Sequence, residues 1–279
     1  MKRTAATPTA RQSTSYLTRS EGRVAYDIAG DGPLLVLVPG MGDLRASYRF
    51  IAPVLRDAGY RVACMDLRGH GGSDATFASY GDVETAGDIV ALIQEVGGPA
   101  VVVGNSMAAG SAVIAAAEHP DLVRGLVLVG PFVRNGKMSA AQRLLFRVAM
   151  APLWAATAWK SYLPKLYAGK RPEDFDAYRD QVISAMHKPG HTKAFSRTTH
   201  TSHDPAAALL GKVAAKSLVV MGDRDPDFPD PKAEADWIGA TLHANVVMVP
   251  EAGHYPQSQQ PEITANAVLG FLKSLDGNA

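Results

Sequence analysis

The stretch Val101-Val102-Val103-Gly104-Asn105-Ser106-Met107-Ala108-Ala109-Gly110 decides the fold of this chain. It opens as a β-branched apolar run, typical of a buried strand, and closes as a run of small residues that favours a helix. A sharp strand-to-helix turn at Ser106 needs small residues two positions before and after it, and these are Gly104 and Ala108. The turn predicts a strained serine beyond the strand end, with the Met107 N–H directed at the same space from a helix N-terminus.

Strands and helices alternate on both sides of this stretch. The predicted strands are Tyr16 to Arg19, Arg23 to Ala29, Leu34 to Val38, Arg61 to Asp66, Ala100 to Val103, Val123 to Val129, Ser217 to Met221 and Asn245 to Val249. The predicted helices among them are Ser47 to Ala58, Val83 to Val96, Met107 to Glu118, Pro231 to Ile238 and Pro261 to Leu275. This alternation predicts an α/β fold with a mostly parallel sheet that carries helices on both faces.

The alternation stops between about residues 131 and 210. Helical patterns replace it, at Ser139 to Ala149, Leu153 to Tyr167, Pro172 to Met186 and Pro205 to Leu210. We therefore predict a disordered tail at residues 1–14, a core domain at 15–130 and 211–279, and a helical cap at 131–210. A cap would exclude water and shape a substrate pocket, whereas an ordinary helical subdomain would lie far from any site.

Composition narrows the class of protein. The 279 residues are 47% hydrophobic with a net charge of +1, so the overall charge gives no argument for nucleic acid or an acidic membrane surface. Cys64 is the one cysteine and stands in an apolar run, which predicts a buried, inert thiol. The Cys and His spacing suggests no metal site.

The N-terminus lacks the apolar core of a signal peptide, and the apolar stretch from Val148 to Trp159 is broken by Pro152. A cytoplasmic protein without membrane insertion is the default expectation, and a homodimer stays open.

Polar residues follow three of the predicted strands. Ser106 follows the fifth strand, Asp223, Asp225 and Asp227 follow the seventh, and His254 follows the eighth. Sites in parallel sheets form beyond the carboxyl ends of the strands, so these side chains are expected to meet. The chain order Ser, Asp, His is the one found when a nucleophile lies on such a strand-to-helix turn.

Several motifs together give a specific resemblance. They are Pro39-Gly40-Met41-Gly42, Asp66-Leu67-Arg68-Gly69-His70-Gly71, Gly104-Asn105-Ser106-Met107-Ala108, Gly222-Asp223-Arg224-Asp225 and Gly253-His254. From about Tyr16 to Leu275 the chain resembles the α/β-hydrolase superfamily. The resemblance implies an eight-stranded sheet and a cap inserted after the sixth strand.

The resemblance also implies roles for particular residues. Ser106 would be the nucleophile, His254 would take its proton, and an aspartate would orient the imidazole. We choose Asp225 for this last role over Asp223 and Asp227 because it matches the family's Gly-x-x-Asp position. The mechanism needs no cofactor and no metal ion.

Backbone N–H groups of Met41 and Met107 would form the oxyanion hole. His70 is interpreted as a residue that organises its loop rather than as an acid or base. Two positions depart from the family pattern, because Ala108 stands where glycine is usual and Pro39 where histidine is frequent. Both leave the subfamily open.

The nucleophile type limits the reaction. A serine argues against the related dehalogenases and epoxide hydrolases, which need a carboxylate there. Hydrolysis of an ester, lactone or related acyl bond is the leading interpretation, and the apolar cap predicts a small to medium apolar substrate. Asn105 and Met107 also resemble the neighbours of the serine in carbon–carbon bond hydrolases of vinylogous diketones. The same residues are compatible with a cofactor-free perhydrolase or haloperoxidase, and with a hydrolase-like receptor that has little turnover.

Overall fold

A computed structural model of the chain describes residues 13–136 and 139–277, without the side chains of Ala140 and Arg143. The predicted tail, residues 1–14, lies outside the described residues except for its last two. The strands are β1 Ser15–Arg19, β2 Gly22–Ala29, β3 Leu34–Val38, β4 Arg61–Met65, β5 Ala100–Asn105, β6 Val123–Val129, β7 Lys216–Gly222 and β8 Asn245–Val249. They form one sheet in the order β1-β2-β4-β3-β5-β6-β7-β8. The β1–β2 and β2–β4 pairs are antiparallel and the other pairs are parallel, which confirms the predicted fold class.

The central strands are buried on both faces. Because successive side chains of a strand point to opposite faces, Leu34, Val36 and Val38 of β3 join one apolar cluster while Leu35 and Leu37 join the other. This double burial explains why these strands read as continuous apolar runs in the sequence. It also fixes the register that brings the carboxyl ends of β5, β7 and β8 to one edge.

Helices cover both faces of the sheet, and further helices separate β6 from β7. The helices that flank the sheet or follow β8 are α1 Ile51–Asp57, α2 Asp82–Val96, α3 Met107–Glu118, α9 Pro231–Leu242, α10 Pro256–Gln259 and α11 Pro261–Asp276. Between β6 and β7 lie α4 Ala140–Ala149, α5 Ala155–Leu166, α6 Phe175–Met186, α7 His191–Thr198 and α8 Asp204–Leu209. We refer to residues 131–210 as the insertion.

The structure differs from the predicted helices in several places, and two of these differences have a clear physical cause. The predicted helix Ser47 to Ala58 is a 3₁₀ turn at Arg45–Tyr48 followed by α1. Pro53 has no N–H for the carbonyl of Arg49, so α1 begins only two residues before the proline. The helix α7 was not predicted, because its Thr and Ser content lowers its helix propensity and its buried residues include only two apolar ones, Ala194 and Phe195.

The insertion has its own apolar cluster. Trp159, Leu163, Tyr178 and Phe195 pack there with Leu44 and Tyr255 of the core, so α5, α6 and α7 rest on the sheet edge where the strands end. In contrast, the described side chains of α4 are mostly exposed. Across the described ranges, no helix has both the length and the apolar character needed to cross a bilayer.

Candidate active site

Ser106 occupies the corner between β5 and α3. Its backbone has φ 59° and ψ −125°, a conformation that L-residues seldom adopt and that costs energy. A Cβ at Gly104 would lie 2.7 Å from the carbonyl carbon of Ala108, so only glycine fits there. Gly40 approaches from the other side, where an added Cβ would lie 2.6 Å from the Ser106 Cβ. The turn therefore fixes the serine between two backbone segments.

His254 and Asp225 meet beyond the ends of β8 and β7. The His254 Nδ1 lies 2.7 Å from the Asp225 Oδ2, and both residues are almost wholly buried. The Asp227 Oδ2 is farther away, at 3.9 Å from the same nitrogen. Asp223 is exposed. Of the three aspartates, Asp225 is thus the one that contacts the imidazole directly.

The carboxylates change the ionisation of His254. Burial alone would lower the pKa of the imidazole, but the charge and hydrogen bond of Asp225, with the charge of Asp227, raise this pKa to about 9. Burial also raises the pKa of Asp227, while the nearby His254 opposes that change. The imidazole is therefore a strong base that is largely protonated at neutral pH.

Asn105 and Phe132 connect the serine turn with the histidine loop. The Asn105 side-chain amide donates to the carbonyl of His254 at 3.2 Å and to that of Val129 at 3.0 Å. The Phe132 N–H donates to the Ser106 carbonyl at 3.2 Å, and its ring centroid lies 5.8 Å from that of His254. Within the described residues, no hydrogen bond joins the Ser106 hydroxyl to the imidazole. Such catalytic hydrogen bonds are often long before substrate binds.

The predicted oxyanion donors lie on two sides of the serine. Neither the Met41 N–H nor the Met107 N–H donates to another group in the part of the chain that the structure describes. Met107 is the first residue of α3, where backbone N–H groups lack partners within the helix. Met41 follows Gly40, which touches the serine. Both N–H groups are thus available to a negatively charged oxygen.

The segment after Met41 is held by two side chains. The Gly42 N–H donates to His70 Nε2 at 3.0 Å, and His70 Nδ1 lies 2.8 Å from the Arg68 carbonyl. Burial lowers the pKa of His70 to about 4, so the ring is neutral and can accept this bond. From the insertion, the Trp159 indole donates to the Gly42 carbonyl at 2.8 Å. His70 organises its loop, in keeping with its interpretation from the sequence.

Further residues of the insertion reach the other loops of the site. The Tyr162 hydroxyl donates to Asp227 Oδ1 at 2.5 Å, and the Leu166 carbonyl accepts from the His254 N–H at 2.8 Å. The Tyr178 hydroxyl donates to Asp43, a buried carboxyl whose pKa is raised by its burial. These particular contacts were not predicted from the sequence. The sequence offered one indication of them, because α5 and α6 each carry a tyrosine whose hydroxyl can reach a polar group.

Aromatic side chains line the site beside His254. The Phe132 ring centroid lies 4.9 Å from that of Phe228 and 5.6 Å from that of His203. The His203 Nδ1 lies 2.8 Å from the Asp82 Oδ2, so this second histidine also has a carboxylate partner. The rings of Phe132 and Phe228 thus place apolar surface beside His254.

A separate cavity of about 740 Å³ lies between α1, α6 and β4. Its lining includes Arg45, which pairs with Asp27 and Asp66, and Arg49, which pairs with Asp174 outside the lining. Ser106, Asp225 and His254 do not line this cavity. The serine turn, where Ser106, Asp225 and His254 converge, is therefore the candidate site rather than this cavity.

One group of side chains has the composition of a metal site. In the described ranges it consists of Asp225, Asp227 and His254, whose donor atoms lie within 4.8 Å of one another. The 2.7 Å separation of His254 Nδ1 and Asp225 Oδ2 is that of a direct hydrogen bond. Two atoms that both coordinate an ion at about 2 Å stand farther apart. The group fits a hydrogen-bonded pair better than a set of ligands.

Comparison with known proteins agrees with the fold. A family model described as the alpha/beta hydrolase fold matches residues 33–261. The chain is 28% identical to 2-(acetamidomethylene)succinate hydrolase of Mesorhizobium japonicum, over 90% of this chain and 92% of that protein. It is 26% identical to 2-hydroxy-6-oxononadienedioate/2-hydroxy-6-oxononatrienedioate hydrolase of Comamonas testosteroni, over 91% and 92%. A thermophilic esterase from Thermogutta terrifontis superposes with a TM-score of 0.81 at 22% identity, covering 94% of this chain and 99% of that one. This last likeness concerns the fold alone.

Proposed function

The chain belongs to the alpha/beta hydrolase fold family, and on that premise we propose that it is a serine hydrolase that cleaves an ester, lactone or related acyl bond. The observation that carries the proposal is the His254–Asp225 hydrogen bond of 2.7 Å, formed beside a serine with positive φ. The unpartnered N–H groups of Met41 and Met107 support it, because among the described residues they supply the donors that a tetrahedral oxyanion needs.

In the proposed reaction the Ser106 Oγ attacks the substrate carbonyl while the Nε2 of His254 takes the hydroxyl proton. Asp225 holds the Nδ1–H and stabilises the imidazolium that forms. The Met41 and Met107 N–H groups bind the oxyanion. When the carbonyl re-forms, the bond to the leaving group breaks and the leaving group takes the proton from His254. Water activated by the same imidazole then hydrolyses the acyl-enzyme and frees Ser106.

We further propose that the insertion is the cap of this site, and that 15–130 and 211–279 form the core. The contacts of Trp159 with Gly42 and of Tyr162 with Asp227 support this role, since they join the insertion to two loops of the site. Ser106 is only 6% exposed, so substrate reaches it through a site largely closed to water. The aromatic wall around Phe132 favours a small to medium apolar acyl or aryl group.

A second candidate is hydrolysis of a carbon–carbon bond in a vinylogous diketone. Asn105 and Met107 around the serine favour it, as does the similarity to a relative named as a 2-hydroxy-6-oxononadienedioate hydrolase. A ketone carbonyl would take the place of the ester carbonyl, and the carbon that leaves would receive the proton from His254. The two candidates share every catalytic group and differ only in the substrate.

The test is intact-mass analysis after treatment with a fluorophosphonate. We expect one adduct on the wild type, none on Ser106→Ala and strongly slowed labelling of His254→Ala. Ser111→Ala is the matched control, because Ser111 is a buried serine on the same helix and keeps the nucleophile unchanged. A wild type that stays unlabelled, or a labelled Ser106→Ala, would overturn the proposal.

Turnover of p-nitrophenyl esters, lactones and a vinylogous diketone then separates the candidates. We expect Ser106→Ala to reduce ester turnover by about 10⁴-fold or more. Diketone cleavage with no ester cleavage would favour the second candidate. Tight ligand binding with turnover equal to that of Ser106→Ala would instead indicate a receptor.

A further inference from the structure

The helix α4 and the turn after it expose several large apolar side chains. Leu144 is 64% exposed, Leu145 70% and Leu153 86%, and Val148 and Trp154 are also exposed. We call these five residues the α4 face. Leucines in a folded chain are seldom exposed to this extent side by side, and such patches mark interaction surfaces.

The sequence segment that contains the α4 face carries charge of one sign. Residues 131–172 contain eight basic residues and no acidic residue, whereas the other 237 residues contain 20 basic and 27 acidic ones. The eight are Arg134, Lys137, Arg143, Arg147, Lys160, Lys165, Lys170 and Arg171. The overall net charge of +1 therefore conceals a strongly basic segment in an otherwise acidic chain.

Several of these cations are not neutralised. Arg147, Lys165 and Lys170 are exposed, and none pairs with a carboxylate among the described residues. Arg134 and Lys160 do pair, with Glu234 and Asp180. Arg147 lies on α4 itself, and an exposed basic residue on a helix with exposed leucines is the pattern of a helix that lies in the interface of a membrane.

We propose that the α4 face binds the surface of a membrane that contains anionic lipids. Its leucines and Trp154 would enter the boundary between headgroups and acyl chains, and Arg147 and its basic neighbours would contact lipid phosphate and carboxylate groups. The ten residues of α4 span about 15 Å, half the thickness of the hydrocarbon core, so the helix lies on the surface and does not cross it.

Charge argues against a second copy of this chain as the occupant. A two-fold contact would place the same surface on both partners. The basic segment of one copy would then face the basic segment of the other, and no carboxylate of residues 131–172 could neutralise it. An acidic protein would satisfy the cations but would leave leucines that are 64–86% exposed without an apolar environment. A lipid surface supplies both negative charge for the cations and an apolar environment for the leucines.

The position of α4 gives this surface a direct relation to the site. The chain continues from α4 through Leu153 and Trp154 into α5, and α5 carries the Trp159 and Tyr162 that contact the loops of the site. A bound membrane would therefore lie against the part of the insertion that leads directly into α5. The surface is independent of the proposed reaction, since lipid binding is measured without substrate.

The experiment is flotation of the full chain with vesicles of phosphatidylcholine alone or with about 30 mol% phosphatidylserine. We expect binding to the anionic vesicles that weakens with salt, and weak binding to the neutral ones. Leu145→Gln and Leu153→Gln should each weaken binding about tenfold, and Arg147→Gln about fivefold. The Trp154 fluorescence should shift to shorter wavelength in anionic vesicles and lose that shift in Trp154→Phe.

Matched controls are Val83→Gln, an exposed apolar residue on α2, and Lys216→Gln, an exposed lysine at the start of β7. Both should bind as the wild type does, and labelling by the fluorophosphonate reports that every variant is folded. Absence of vesicle binding by the wild type would overturn the proposal. So would equal losses in variants and controls, or a dimer that Leu145→Gln dissociates. Loss in Arg147→Gln with none in the leucine variants would point instead to an acidic protein.

Discussion

Replacing Asp227 by asparagine should make the enzyme faster at neutral pH. In the proposed mechanism His254 must be neutral to accept the Ser106 proton, and its pKa is about 9, so only about one molecule in a hundred holds the free base at pH 7. Asp227 contributes to this high pKa because its charge favours the imidazolium. Asparagine removes the charge and retains an oxygen that accepts the Tyr162 hydroxyl bond.

The expected change in the pKa of His254 follows from the distance between the Asp227 carboxylate and the imidazole. Two unit charges 3.9 Å apart, as are the Asp227 Oδ2 and His254 Nδ1, interact by about 1 kcal/mol in water and about 4 kcal/mol at the effective dielectric of a buried site. The Asp227 side chain is 18% exposed, so the value lies between these limits. The pKa of His254 should therefore fall by about 1 to 3 units. A fall of one pKa unit from about 9 increases the fraction of neutral imidazole at pH 7 about tenfold. A larger fall increases it by at most about a hundredfold, because nearly all of the imidazole is then neutral.

The assay is the pH dependence of kcat/KM for a p-nitrophenyl ester, corrected for spontaneous hydrolysis. In the wild type we expect kcat/KM to rise with pH through a midpoint near 9, and in Asp227→Asn the midpoint should move about 1 to 3 units lower. Asp223→Asn is the control, since its carboxylate is exposed in the same loop. A midpoint that stays in place, or moves to higher pH, would contradict the assigned role of the two carboxylates.

Three further predictions concern stability. Gly104→Ala should lower the free energy of unfolding by about 1–3 kcal/mol, because its Cβ overlaps the Ala108 carbonyl. Gly270→Ala on α11, which meets nothing within 4 Å, should raise it by up to about 1 kcal/mol; equal midpoints of thermal denaturation would contradict this. The third prediction concerns His70, whose pKa is 6.5 in the unfolded chain and about 4 in the folded chain. In the folded chain the neutral ring accepts a hydrogen bond from the Gly42 N–H. The free energy of unfolding should fall by up to about 3 kcal/mol as pH drops through that window, and urea titrations of His70→Asn should lack this component.

The core of the fold could be predicted from the sequence because burial determines it locally. The strands Leu34–Val38, Val123–Val129 and Asn245–Val249 have the predicted bounds, since each is a run of apolar residues bounded by turn residues. The start of α1 and the whole of α7 could not be predicted in this way. Their limits depend on a proline that lacks an N–H and on packing against other helices.

Some features of the candidate site could likewise be predicted from the sequence, whereas others could not. The order Ser106, Asp225, His254 is visible along the chain, but the distances that distinguish Asp225 from Asp227 depend on the shape of one loop. The bond from Trp159 to Gly42 joins residues 117 positions apart, and no local pattern indicates it. The net charge of +1 does not show how charge is distributed along the chain, because it is the sum of a basic segment and an acidic remainder.

The bonds between α5 and the site have a consequence for recombining this chain with its relatives. Trp159 and Tyr162 lie one turn apart on α5, and they hold the loops that carry Gly42 and Asp227. A chimera that exchanges α5 would change substrate preference and reactivity together, so the two properties cannot be inherited separately. The segment from Ser139 to Trp154 makes no such bonds within the described residues, and it is the part that homologous proteins could exchange while the chemistry stays intact.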